Sequence, residues 1–200
     1  MSDPIRLPPF PVPLRWEIPP VAWGLEGEEL RASAGPRTDL FVSPQGDPPV
    51  LNAPRLLGPV AGDFQLSARV TVAFAGTFDA GALLLWRDER TWAKLCFEYS
   101  PQRRPMVVSV VTRGLSDDAN GVTVGGDAVW LRVSRMGGAL AFHASADGRW
   151  WDLIRHFALD AGPSPLVGFV AQAPVGEGCA VRFADIRFAA ERLRELRSGE

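Results

Sequence analysis

Two cysteines, two histidines and one tyrosine are all that 200 residues supply of those types. Cys96 and Cys179 stand at no metal-like spacing and are too few for a disulfide framework, so no bridge-stapled fold is expected. His143 and His156 have no His, Cys or carboxylate neighbour at ligand spacing. No G-x-S-x-G elbow accompanies them, and both read as structural. No glycine-rich loop precedes a helix, so no nucleotide phosphate site is indicated. The expectation is a protein with no metal and no cofactor.

Charge of one sign is also lacking. Lys and Arg number 21 against 23 Asp and Glu, a net charge of −2, and only the mixed tail AAERLRELRSGE is charge-rich. That balance is not the footprint of a nucleic-acid binder, and no polybasic stretch marks a membrane surface. No hydrophobic run approaches spanning length. The opening MSDPIRLPPFPVPLRW has no apolar core of signal-peptide length, and its prolines interrupt one. A cytoplasmic protein with two buried thiols is the expectation.

Long helical periodicity is missing as well. Twenty glycines and 18 prolines punctuate short alternating segments, the pattern of a sandwich or barrel. GDFQLSARVTVAF (62–74) alternates Phe64, Leu66, Ala68, Val70, Val72 and Phe74 against Gln65, Ser67, Arg69 and Thr71. One face of that strand is buried. GALLLWRDE and TWAKLCFEY form two more strands around a charged turn, and RPMVVSVVTRG follows. Segment 128–157 holds three strands joined at Gly137-Gly138 and Asp147-Gly148. LVGFVAQA and GCAVRFADIRFA complete the set, the latter with a register adjustment near Ala184 that turns Ile186 and Phe188 inward. Nearer the start, 14–17, 29–34 and 38–42 read as strands and 43–54 as a loop. Residues 1–13 form an irregular arm, and Leu193 and Leu196 mark a short helix over 189–198.

The order of these motifs resembles the DUF1349 family, which includes the yeast regulation-of-enolase protein. The likeness rests on TDLFVSP (38–44), GDF (62–64), FDAGALLLWRDE (78–89), TWAKLCFEY (91–99) and SVVTRGLSD (109–117). It continues through VWLRVSR (129–135), SADGRWW (145–151) and VGFVAQAPVGEGCAVRFADIRF (167–188). The resemblance implies a concanavalin A-like fold: an all-β, two-sheet antiparallel jelly-roll sandwich forming a single domain over 1–200. Related sandwiches bind or cut polysaccharides on the concave face of the larger sheet.

The chemistry for cutting is thin. Glucanases of the related fold carry carboxylates at alternating positions of one strand, as in E-x-D-x-E, aimed into the cleft. TWAKLCFEY has only Glu98, and Asp88-Glu89 falls at a turn. Glu26-x-Glu28 fits an exposed turn. SDDANG (116–121) groups Asp117, Asp118 and Asn120 but lacks the other positions of a calcium loop, and its Asn-Gly reads as a turn. SADGRWWDL reads as a hairpin with Asp-Gly at its tip, one Trp inward and one outward.

On strand 91–99, Trp92, Lys94, Cys96 and Glu98 share one face, and Ala93, Leu95, Phe97 and Tyr99 the other. Lys94 and Glu98 stand about 13 Å apart along the strand, too far for a direct ion pair. Their partners are expected on adjacent strands, one carrying Ala80, Ala82, Leu84 and Trp86, the other SVVTRG. The reading is a non-catalytic groove for a carbohydrate or small polyhydroxy ligand. Trp86 and Trp92 would stack, Lys94 and Arg113 donate and Glu98 accept, with Asp117 at the rim. The alternatives are a glycan-processing hydrolase or lyase using Glu98, and a module that binds a protein partner.

Overall fold

The computed structural model describes residues 3–200. The chain opens with β1 (Arg15–Ile18), β2 (Ala22–Glu26), β3 (Glu29–Ala34), β4 (Leu40–Phe41), β5 (Val50–Leu51) and β6 (Arg55–Pro59). Five long strands follow: β7 (Phe64–Val72), β8 (Ala80–Asp88), β9 (Thr91–Tyr99), β10 (Pro105–Arg113) and β11 (Leu115–Thr123). The last five are β12 (Ala128–Met136), β13 (Ala139–Ser145), β14 (Asp152–Ala158), β15 (Leu166–Gln172) and β16 (Cys179–Ala189). They form two seven-stranded antiparallel sheets, ordered β1-β6-β15-β8-β9-β10-β11 and β14-β13-β12-β7-β16-β3-β2, with β4-β5 as a separate small pair. The fold is a two-sheet β-sandwich, as the alternation of the sequence predicts.

The alternating residues of 64–74 behave as expected. Phe64, Leu66, Ala68 and Val70 are fully buried and meet Leu83, Leu85, Leu95 and Phe97 of the facing sheet. A bulge in β16 between Ala184 and Arg187 adds one residue, keeping Ile186 buried and turning Arg187 outward. Gly168 is required where β15 meets β6, because a Cβ there would stand 2.0 Å from the Leu56 carbonyl oxygen.

Three local expectations are corrected. The tail contains no helix: residues 190–200 are turns and bends, with Leu193 packed on Met136 and Ala141. Two leucines three apart supply too little apolar face to order a helix by itself. SDDANG is not a turn but the middle of β11, which pairs with β10 along Ser116–Asn120. Of 38–42, only Leu40–Phe41 is strand, paired with Val50–Leu51 inside what the sequence presents as a loop.

The middle of the first sheet, β8 to β10, is largely buried on both faces. One face packs into the sandwich core. The other carries Leu84, Trp86, Trp92, Cys96, Val108 and Val110, covered by Leu40, Val42 and Ala53 of segment 38–54. Several contacts pin that segment, among them the bridge of Thr38 to Ala173 and the Ser116 hydroxyl, which accepts from the Val42 amide at 3.0 Å. This cover decides where the sheet remains open.

Candidate functional site

The open part lies at the Glu98 end of β9. In register, Lys94 stands beside Leu84 and Val110, Val110 beside Asp118, Val108 beside Asn120, and Glu98 beside Ala80. Ala80 also pairs with Gln172 on β15. Because Ala80 and Ala82 are small, the Lys94 side chain can lie across β8 toward β15. Its Nζ donates to Gln172 Oε1 at 2.8 Å and stands 3.6 Å from Asp39 Oδ1. Lys94 is only 2% exposed.

Above this ammonium is a cleft of about 380 Å³. Its polar groups include Lys94, Glu98, Asp118, Asn120, Gln172 and Asp39, with Ser100 and Gln102 beside them, and its apolar walls include Phe41, Phe78 and Met106. That volume falls at the small end of the range for small-molecule sites. Gln172 also donates through Nε2 to the Phe78 carbonyl at 3.5 Å. Phe78 has φ 68, in the left-handed region, and 38% of it is exposed at the mouth. A bulky residue held in that conformation is strained, and such strain gathers at ligand clamps.

Electrostatics set the protonation states. Burial works against the Lys94 ammonium, but its coupling to the ionisable groups around it, Cys96 first and then Asp39, Glu98 and Asp118, outweighs burial and raises its pKa. Burial pushes Glu98 up to about 8, with Asp118 and Asp39 adding to the rise and Lys94 opposing it. Glu98 is therefore mostly protonated at neutral pH and can donate as well as accept. Asp118 is also raised by partial burial, against the pull of Lys94, but it is solvent-accessible and water damps the effect. The Cys96 thiol is pushed up by burial and stays neutral.

The six residues singled out from the sequence separate. Lys94 and Glu98 line the cleft. Trp86 and Trp92 share their sheet face but not the opening: Trp92 is fully buried, and the two rings stack on each other 6.4 Å apart. Arg55 covers Trp86 at 4.5 Å. Burial under segment 38–54 leaves neither indole a free face for a sugar, and the exposed aromatic walls are Phe41 and Phe78. Arg113 ends β10 and donates to the Ala158 carbonyl, outside this cleft. Asp117 points to the opposite face and pairs with Arg155 at 2.6 Å, tying β11 to β14. Its neighbour Asp118 has the parity of Lys94 and enters the cleft. Asp39, Asn120 and Gln172 were not singled out; once β11 is known to be a strand, alternation selects Asp118 and Asn120.

Chemically, the cleft presents one buried cation, one neutral carboxyl, the acidic side chains of Asp39 and Asp118, and the amides of Gln102, Asn120 and Gln172. Among the described residues no cluster of His, Cys, Asp or Glu suits a metal. Cys96 and Cys179 are both free and buried.

A model of DUF1349, described as a protein of unknown function, matches residues 16–191. The chain belongs to the DUF1349 family. No curated protein matches it. Among solved structures, this DUF1349 chain is similar to a functionally unknown protein from Saccharomyces cerevisiae, at 25% identity and TM-score 0.83. The match covers 89% of this chain and 96% of the yeast protein. It is also similar to the GH43 protein BlXynB from Bacillus licheniformis, at 15% identity and TM-score 0.74. Here it covers 89% of this chain but only 37% of BlXynB, so the likeness concerns a part of that protein. The alginate lyase from Klebsiella pneumoniae matches at 12% identity and TM-score 0.55, covering 86% of this chain and 85% of the lyase. The last two likenesses concern fold alone.

Proposed function

We propose that this DUF1349 protein binds a carbohydrate or small polyhydroxy ligand in the cleft above Lys94. The observation that carries the reading is the set of mixed donors and acceptors around a buried ammonium. Lys94 donates, Asp118 and Asp39 accept, and Asn120, Gln172 and protonated Glu98 do both. Hydroxyl groups, each a donor and an acceptor, satisfy such a set better than a purely anionic or apolar ligand. Phe41 and Phe78 provide apolar surface for the C–H faces of a ring. A GH43 protein and an alginate lyase share this fold, which is compatible with a carbohydrate-related function.

Calorimetric titration with a panel of neutral and acidic mono- and oligosaccharides tests it. Binding that is lost in Asp118→Asn and Asn120→Ala supports the reading; silence across the panel removes it.

One observation favours a second reading. Glu98 is held protonated and shares its cleft with Asp118, the state required of a general acid with a second carboxylate nearby. A glycan-processing hydrolase or lyase would then use Glu98. Turnover on a polysaccharide panel, abolished in Glu98→Gln, is its requirement, and an inert wild-type protein rules it out.

A further inference from the structure

The second sheet carries a separate cleft, of about 670 Å³, on its outer face. Arg187 of β16 pairs in register with Ser67 of β7, and Ser67 with Arg132 of β12. Two guanidinium side chains thus flank one hydroxyl side chain across three adjacent strands, and all three residues line the cleft. The β16 bulge creates this row. Without its extra residue, strict alternation would turn Ile186 outward and Arg187 into the core.

Arg132 is the unusual member. It is only 7% exposed, yet it takes part in no ion pair of the described residues. Its hydrogen bonding there consists of Nη2 donating to the Gly199 carbonyl. Nε has no partner, and the guanidinium lies 4.1 Å from the centre of the Trp151 ring. Burial lowers its pKa to about 10, with no charged neighbour offsetting it, so it stays charged at neutral pH. A buried charge is ordinarily paired, because leaving it without a counter-ion is strongly unfavourable. The acidic residues of the cleft do not supply one. Asp147 accepts from the Arg149 and Trp150 amides of its own turn, and Asp185 and Glu191 are exposed and form no ion pair with Arg132 or Arg187.

We propose that this outer cleft is an oxyanion-binding site in which Arg132 and Arg187 clamp a carboxylate or phosphate group over Ser67. The ligand supplies the negative charge that the fold withholds from Arg132. Arginine suits the task because its planar fork matches both oxyanions. The site lies on the opposite sheet from Lys94 and shares no lining residue with the cleft above it.

Calorimetry with inorganic phosphate and with acetate, a carboxylate without sugar hydroxyls, at constant ionic strength against sodium chloride, tests the assignment. The wild-type protein should bind at least one of the two, and the tighter binder identifies the source of the oxyanion. Arg132→Met and Arg187→Gln should each weaken that binding about tenfold or more, the loss of one charge-assisted contact. Asp118→Asn should leave it unchanged, which separates this site from the sugar cleft. If Arg132→Met does not fold, Arg187→Gln on the exposed side of the row decides the question. No binding above the chloride control, or wild-type affinity in the arginine variants that fold, overturns the proposal.

Discussion

Lys94 Nζ donates to Gln172 Oε1 at 2.8 Å, joining β9 to β15 across the small residues of β8. This bond fixes the ammonium below the cleft instead of letting it extend into water. It also connects to the strained Phe78, whose carbonyl accepts from the same glutamine. Removing the cation leaves Asp39 and Asp118 without their shared opposite charge. Lys94→Ala should therefore destabilise the protein by about 3–5 kcal/mol, as for a broken buried pair. Lys94→Met, which fills the same space, should lose less. Urea unfolding of the two variants measures the difference.

Glu98 makes stability depend on pH in a defined direction. Its pKa rises from 4.5 to about 8 on folding, so the folded protein holds this proton more tightly than the unfolded chain. The contribution is present below about pH 4.5 and is lost as pH rises through the folded value near 8. Glu98→Gln mimics the protonated acid and should flatten that part of the profile, leaving the variant more stable than wild type at pH 9. Thermal midpoints from pH 4 to 9 check this. A wild-type slope that persists unchanged in Glu98→Gln contradicts it.

Trp92 is a structural residue, so its truncation should act on the fold. Trp92→Ala should lower stability by about 3–5 kcal/mol, as for other large aromatic deletions from a core. Phe41→Ala removes a half-buried wall of the cleft and should weaken ligand binding with a smaller loss of stability. Parallel chemical denaturation and ligand titration separate the two effects.

Phe78 and Gly168 test two backbone arguments. Phe78→Gly relieves a left-handed conformation while deleting an apolar wall, so stability should hold or rise slightly as ligand affinity falls. Gly168→Ala places a methyl group 2.0 Å from the Leu56 carbonyl oxygen and should separate β15 from β6. A marked drop in thermal midpoint, or loss of soluble protein, is expected; a wild-type midpoint would contradict the packing described.

Much of the fold was legible in the sequence because its strands alternate cleanly. Residues 64–74 and TWAKLCFEY reveal their faces by period, and the need for a register change near Ala184 follows from where Ile186 must point. The tail misled because two leucines among charges imitate a helical face, whereas Leu193 is held by tertiary contact with Met136 and Ala141. Lys94 and Glu98 were found by parity. Trp86 and Trp92 passed the same test but lie under segment 38–54, and parity identifies a face without saying what covers it. The signal available was the run ALLLW in β8, apolar on both faces, which marks a strand buried on both sides. Asp118 and Asn120 were missed as cleft residues because Asn-Gly reads as a turn, while pairing with β10 holds the segment extended. Gln172 and Asp39 reach Lys94 from distant parts of the chain, a meeting that local pattern does not encode.

The proposed function requires that the cleft above Lys94 recognise hydroxyl groups. Its most direct test is calorimetric titration of wild type and Asp118→Asn against one saccharide panel at neutral pH. At least one saccharide should bind saturably to the wild-type protein and lose that binding in Asp118→Asn, with both proteins equally folded by circular dichroism. Heats no larger than dilution for every saccharide, or undiminished binding in Asp118→Asn, would contradict it.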